Sequence, residues 1–324
     1  MPLGRSIRLA AVGDTVMGSL PYGLPSDGGR SLFSAVKPLL RGDVVLGNFE
    51  GTFATGGSSK CEPSPGPNCF AFHTPPSYAR WLKEAGFTVV TLANNHADDF
   101  GAIGRRQTRA TLARVGVRGT GWPGSIAYLK AAGGEVAVVG FAFNNVSNNM
   151  IDIAGARVLV AKAAARAPVV IVTVHAGAEG SGAERVRPGT ETFLGENRGD
   201  AVAFAHAVVE AGADIVVGHG PHVMRGIEFY RGRPIAYSMG NFMGYAVFSL
   251  RGNKSQTAVL DVELGRDGKF IRGRLKPVKL VGKGVPVPGG AGIANVQRLS
   301  RLDFGSRAAV IGADGSITAP AGSP

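Results

Sequence analysis

The chain alternates short, β-branched apolar runs with segments of helical periodicity, and that alternation leaves few architectures open. Ile7 to Val12, Asp43 to Leu46, Phe87 to Leu92, Glu135 to Phe143, Pro168 to Val174 and Asp214 to Val217 have the length and composition of buried strands. Between them, Ser31 to Leu40, Pro75 to Ala85, Ala102 to Val115, Ala154 to Arg166 and Asp200 to Ala211 repeat apolar residues every three or four positions. Gly86, Gly116 and Gly212 follow three of these segments as helix stops. Strands and helices in turn imply an α/β layered fold with largely parallel pairing. Beyond Gly226 the pattern changes to strand pairs, one around Arg231-Gly232 and another from Thr257 to Leu264 and Lys269 to Leu275, which read as antiparallel hairpins. The Gly-, Pro- and Val-rich stretch from Val281 to Ile293 reads as an extended linker to a short helix near Leu299 and a loose tail. The chain thus divides into a domain over 1–280 and an extension over 281–324 that packs on it or is partly loose.

The polar residues fall at the strand ends. Asp14 follows the first run, Asn48 and Glu50 the second, and Asn94-Asn95-His96 the third; His175 follows the run from Pro168, and His219 and His222 the one from Asp214. In open α/β sheets the carboxyl ends of the strands face one crevice, so these residues converge without sharing a local motif. Each has an ordinary reading alone: Gly13-Asp14 as a turn, the asparagines as a helix cap, Gly218-His219-Gly220-Pro221-His222 as a tight loop. Two amides and an imidazole directly after an apolar strand are costly to bury without partners, however, and convergent imidazoles are a metal-site pattern. Four of the six histidines belong to this set, whereas His73 lies in a Pro-flanked loop and His206 within a helix. Imidazole, carboxylate and amide oxygen without thiolate suit Mn, Fe, Zn or Mg, and two such ions would clamp both oxygens of a displaced ester.

These motifs resemble the capsule-synthesis proteins of the CapA (poly-γ-glutamate) type within the calcineurin-like metallophosphoesterase superfamily. The resemblance runs from about Ile7 to Phe242 through Ala11-Val-Gly-Asp14, Gly47-Asn-Phe-Glu50-Gly, Leu92-Ala-Asn-Asn-His96 with Asp99, Val174-His-Ala-Gly-Ala-Glu179, Gly218-His-Gly-Pro-His-Val223 and Tyr237-Ser-Met-Gly-Asn-Phe242. It implies a four-layer α/β/β/α sandwich with a two-ion site at one edge. Asp14 would be the first-strand ligand, Glu50 the bridging carboxylate, Asn95 the amide ligand, and His175, His219 and His222 the imidazole ligands. His96 would give a proton to the leaving oxygen, with Asp99 holding its ring. Glu179, Arg187, Arg198 and Asn241 are candidates for substrate contacts, a guanidinium fork suiting phosphate or carboxylate. The chain departs from the wider pattern at Val16, where the superfamily carries a second metal-binding histidine, at Ala176 in place of a common Trp, and at Gly220, where many relatives have another histidine.

The function expected is therefore a metal-dependent hydrolase of an anionic ester or amide, a phosphoester or a poly-γ-glutamate-related bond, linked to capsule synthesis. A non-catalytic accessory protein that binds acidic polymer is the alternative. The formal charge of +12 favours an anionic small molecule or polymer as the partner in either case. The basic residues are scattered rather than strung in a basic, aromatic-interleaved strip, so nucleic acid is not expected. No apolar run reaches the length of a membrane span, and a capsule-synthesis complex is the partner the resemblance suggests. Cys61 and Cys69, the only cysteines, could close a disulfide in the turn-rich stretch around them and so point to export, yet no signal-peptide core precedes the first strand. Export of a chain carrying a further signal sequence and a cytoplasmic protein with free thiols both remain open, with export favoured.

Overall fold

The computed structural model describes residues 6–322 except 64, 65 and 67. In chain order its principal strands are β1 (Ile7–Val16), β2 (Val44–Phe49), β3 (Val89–Thr91), β4 (Arg118–Thr120), β5 (Ala127–Ala131), β6 (Gly134–Ala142), β7 (Val169–His175), β8 (Ile215–His219), β9 (Ile227–Tyr230), β10 (Arg233–Ala236), β11 (Asn241–Gly244), β12 (Gln256–Leu264), β13 (Phe270–Val281), β14 (Val285–Pro288), β15 (Val310–Ile311) and β16 (Ser316–Thr318). The helices are α1 (Ala79–Ala85), α2 (Gly101–Val115), α3 (Ile153–Ala164), α4 (Ala201–Glu210) and α5 (Gly292–Phe304).

The strands form two large sheets. One runs β15-β16-β13-β12-β1-β2-β3-β4, with β11 also beside β1 and β14 beside β13; the other runs β9-β10-β8-β7-β6-β5. From β1 to β4 the pairing is parallel, as is that of β6, β7, β8 and β10, while β12 and β13 are antiparallel additions. Side-chain alternation along each strand sorts residues between two faces. Ile7, Leu9 and Ala11 of β1 and Val44 and Leu46 of β2 meet Val136, Val138, Val169, Ile171, Ile215 and Val217 of the second sheet in one core. The intervening Ala10, Val12 and Val45 pack outward on Leu82 of α1 and Leu112 of α2. On the far side Val139, Val170 and Val172 pack on Val160 of α3 and on Phe204 and Val208 of α4. The result is helix, sheet, sheet, helix: the four-layer α/β/β/α sandwich that the resemblance implies.

Three local expectations are corrected. The segment read as a helix over Ser31 to Leu40 is a chain of turns ending in a 3-10 turn at Lys37–Leu39. Leu32, Phe33, Val36 and Leu40 are buried at helical spacing, but Pro38 donates no backbone hydrogen bond, and Asp27 takes the N–H groups of Gly29 and Ser31. The stretch read as a linker contains β14, which pairs with β13 over Val278 to Val281. The segment read as a loose tail forms β15 and β16, whose Ile311 and Ile317 enter the core between the sheets. Cys61 and Cys69 are disulfide-bonded. No helix among the described residues is long and apolar enough to cross a membrane.

Candidate metal centre

The carboxyl ends of the parallel strands from both sheets meet at one edge of the sandwich. Asp14 lies near the end of β1, opposite Asn48 of β2 and Asn241 of β11, and the final residues of β7 and β8, His175 and His219, lie side by side. Glycine makes this convergence possible. A Cβ on Gly13 would stand 1.9 Å from the carbonyl oxygen of Gly240, whose oxygen accepts from the Asp14 N–H at 2.9 Å. Gly220, at φ +109°, lets the loop after β8 pass beside the His175 ring and donate its N–H to Asp14 at 3.3 Å.

Asp14, Glu50 and His222 offer ligand atoms that all lie within 4.8 Å of one another. His222 Nδ1 is 3.1 Å from Asp14 Oδ2 and its Nε2 is 3.7 Å from Glu50 Oε1; on the other side of Asp14, His219 Nδ1 lies at 3.6 Å. Asp14, Glu50, His175 and His219 are fully buried, while the side chains of His222 and Glu179 keep 13% and 17% exposure, so the centre opens between those two residues. His222 holds a left-handed backbone, φ +59°, a conformation costly for a residue with a Cβ and concentrated at functional sites.

The decisive feature is what these groups lack. Both carboxylate oxygens of Glu50, Oδ1 of Asn95, Nε2 of His175 and both ring nitrogens of His219 are buried with no hydrogen-bond partner. Buried polar atoms are nearly always paired, and an orphan costs about 1–3 kcal/mol. Unpaired atoms of this kind beside the Asp14, Glu50 and His222 cluster fit a divalent cation, and the donor set, free of sulfur, fits a hard or borderline one. Electrostatics agree. Burial pushes the Glu50 carboxyl well above its usual range against the pull of His222. Burial also opposes the charge on Asp14, but its hydrogen bond to His222 and the nearby imidazoles hold it below the usual carboxylate range. Burial lowers His175 strongly and His219 to about 4. His222 goes the other way, to about 10, because Glu50, Asp14 and Glu179 overcome its burial. The carboxylates thus draw a proton onto His222 where a cation would otherwise supply positive charge.

Behind the ligand atoms stands an amide network. Asn48 donates to Asp14 Oδ1 at 2.8 Å and turns the same nitrogen to His175 Nδ1 at 3.2 Å; Asn94 donates to Asn48 and to the Phe49 carbonyl, both at 2.9 Å. With an amide N–H at Nδ1, the neutral His175 ring carries its proton on Nε2, so ligation through Nε2 requires Asn48 to release that contact. Asn241 sits behind His222, its Oδ1 2.9 Å from Nδ1 and its Nδ2 donating to the His222 and Lys254 carbonyls, contacts that hold the His222 ring. Asn95 Nδ2 donates to Glu179 at 3.4 Å, and Glu179 is paired with Arg198 at 2.8 Å. Arg198 is itself buried, shares Glu196 at 2.9 Å and lies over Phe143, so its fork is turned to carboxylates of this chain. Arg187 is exposed on the loop before the short strand Thr192–Phe193, and among the described residues no hydrogen bond or ion pair joins it to the centre. Val16, at the position of the superfamily's second histidine, is buried and apolar.

His96 faces the centre with Nε2 3.8 Å from Glu50 Oε1, and its Nδ1 is 2.8 Å from Asp99 Oδ2. Burial lowers its pKa although Asp99 opposes the shift. Two features were outside the sequence reading: Lys60, 2.7 Å from the other Asp99 oxygen, and the wholly buried Arg225, which grips Glu191 with two contacts of 2.7 Å and anchors the segment carrying Glu179 and Arg198. Neither lies at a strand end. The Cys61 next to Lys60 was the only signal that its loop is held in place.

Residues 8–246 match the family described as bacterial capsule synthesis protein PGA_cap. The PGA biosynthesis protein CapA of Bacillus subtilis is 31% identical over 253 residues, covering 72% of this chain and 62% of that protein. The capsule biosynthesis protein CapA of Bacillus anthracis is 30% identical over 290 residues, covering 79% and 66%. The chain therefore spans less than two thirds of the length of these relatives. Among solved structures, a 5'-nucleotidase precursor from Thermus thermophilus superposes with a TM-score of 0.48 at 13% identity, over 84% of this chain and 54% of that one.

Proposed function

The chain belongs to the family of bacterial capsule synthesis proteins, and from its centre we propose that it is a metal-dependent hydrolase acting on an anionic ester or amide in the assembly of a cell-surface polymer. The observation that carries this reading is the set of buried, unpaired ligand atoms on Glu50, Asn95, His175 and His219 beside Asp14 and His222. Such atoms, buried without partners, are those a bound cation would pair. We assign Asp14, Glu50, Asn95, His175, His219 and His222 as the residues that would hold divalent cations.

A bound divalent cation would supply Lewis acidity and lower the pKa of a water. The chain's own residues do the rest. Asp99 holds the His96 ring through Nδ1 and stabilises it when a second proton is taken up on Nε2, the atom that faces the centre. Because burial lowers the pKa of His96, its imidazolium gives that proton readily to a departing oxygen or nitrogen. Asn241 and Asn48 orient His222 and Asp14. Arg198 and Glu179 wall the opening, and the net charge of +12 draws anionic substrates toward the protein. The Cys61–Cys69 disulfide suits an exported protein.

The test is a hydrolysis screen of metal-loaded protein against phosphomonoesters, phosphodiesters and γ-glutamyl peptides. Turnover of one class, abolished by chelator and restored by Mn²⁺, Zn²⁺ or Mg²⁺, is expected. Full metal loading with no turnover in any class would overturn hydrolysis and favour polymer binding without chemistry.

A further inference from the structure

The disulfide-closed loop reaches the centre at both of its ends. Immediately before Cys61, the Lys60 backbone N–H donates to the Asp99 carbonyl at 2.8 Å, and its ammonium contacts Asp99 Oδ1 at 2.7 Å and the Asn95 carbonyl at 3.1 Å. Shortly after Cys69, the Phe72 N–H donates to Asp99 Oδ2 at 2.6 Å, and the Phe72 ring lies on the His96 imidazole with centroids 4.1 Å apart and planes 23° from parallel. The Asp99 carboxylate, fully buried, is thus gripped from two sides while it holds His96 Nδ1. The adjoining chain is anchored as well: Thr52 donates to the Phe72 carbonyl at 2.9 Å, and His73 N–H to Ser19 Oγ at 2.9 Å.

We propose that Lys60 and Phe72, carried on the two ends of the Cys61–Cys69 loop, are positioning residues that clamp the Asp99–His96 pair, with the disulfide keeping the two jaws in register. Lys60 neutralises the Asp99 charge and blocks the carboxylate from turning away, and Phe72 fixes the plane of the His96 ring. With Asp99 held, the neutral ring keeps its proton on Nδ1 and presents the bare Nε2 to the centre. The cross-link shortens the chain between the jaws, so without it the contacts must be maintained by a longer, freer loop.

This proposal rests on the assignment of His96 as the proton donor, and its test is built to separate the two. Long-range ¹H–¹⁵N spectra of the Zn²⁺-loaded protein, with His96 identified by comparison with His96→Gln, report which ring nitrogen carries the proton and need no substrate. The native protein is expected to show His96 as a single Nδ1–H tautomer. Lys60→Ala and the double variant Cys61→Ser/Cys69→Ser are expected to give a mixture of tautomers, and Lys60→Arg to restore the native pattern, with melting curves confirming that each variant is folded. In the substrate identified by the hydrolysis screen, kcat is expected to fall roughly tenfold to hundredfold in Lys60→Ala with KM unchanged, the size of effect typical for a lost orienting partner. An unaltered His96 tautomer in both Lys60→Ala and the double serine variant would overturn the clamp. So would turnover that requires His96 but is indifferent to Lys60→Ala, a result that leaves the hydrolytic reading standing.

Discussion

The unpaired atoms of the centre set the expectations at the residue scale. His96→Gln should keep its metal and lose roughly 10²–10⁴-fold in kcat, the usual weight of a general acid, measured on whichever ester or amide the native protein hydrolyses. Asn241→Ala leaves the ligands intact but frees the His222 ring, so metal affinity by titration calorimetry should drop about 10–100-fold, as when other orienting partners are removed. The residues we propose as ligands stand out in the sequence because a polar residue at the end of an apolar strand has nowhere to go but the shared crevice. Asp14, Glu50, Asn95 and the three imidazoles follow that rule, whereas the hydrogen bonds that tie Asn241 to His222 and Lys254 are not visible in a sequence. Asp214 gives a pH signature far from the centre. Burial raises its carboxyl from 3.8 to about 6 despite the Val170 N–H and Arg233 beside it. The fold therefore prefers the protonated form, and the stability this group contributes is full below 3.8 and lost as pH rises through about 6. In thermal melts across that window, Asp214→Asn should lose this part of the pH dependence; an unchanged profile would contradict the assignment.

The elements show where periodicity informs and where it misleads. Burial at helical spacing from Leu32 to Leu40 mimics a helix, but Pro38 and the Asp27 side chain turn the segment into successive turns without changing which side chains reach the core. β14 was hidden by its Pro and Val content, which reads as a linker, and it is tolerated as a strand because it pairs along one edge only, with β13. Long-range polar contacts left no periodic trace at all. Arg225 on the segment after β8 and Glu191 on the loop beyond Glu179 lie 34 positions apart and share a bidentate pair of which Arg225 is wholly buried. Arg225→Met strands Glu191 and frees the loop that carries Glu179 and Arg198, so a loss of about 3–5 kcal/mol in denaturant unfolding is expected, together with weaker metal binding. A loss below about 1 kcal/mol, the scale of an exposed ion pair, would show that the loop is held by other contacts.

At the scale of the whole molecule, two sheets that share a core bring their strand ends together at one edge, which is why Asp14 and Glu50 meet there with His219 and His222 from far along the sequence. The C-terminal segment contributes to the frame rather than to the centre: β15 and β16 extend the first sheet, α5 packs near β9, and Glu228 of β9, fully buried, joins His206, Tyr237 and Arg307. The sequence left open whether this extension packs on the domain or is partly loose, and its strands went unread because short strands with Gly at their turns carry little pattern. The account as a whole stands on the centre being a metal site. The most direct measurement is the metal content of protein purified without chelator, by elemental analysis, for the native chain and for Glu50→Ala, alongside melting curves that show both to be folded. The account predicts close to two divalent ions per native chain and their loss in Glu50→Ala; a native chain that stays metal-free after loading with Mn²⁺, Zn²⁺ or Mg²⁺ would contradict it.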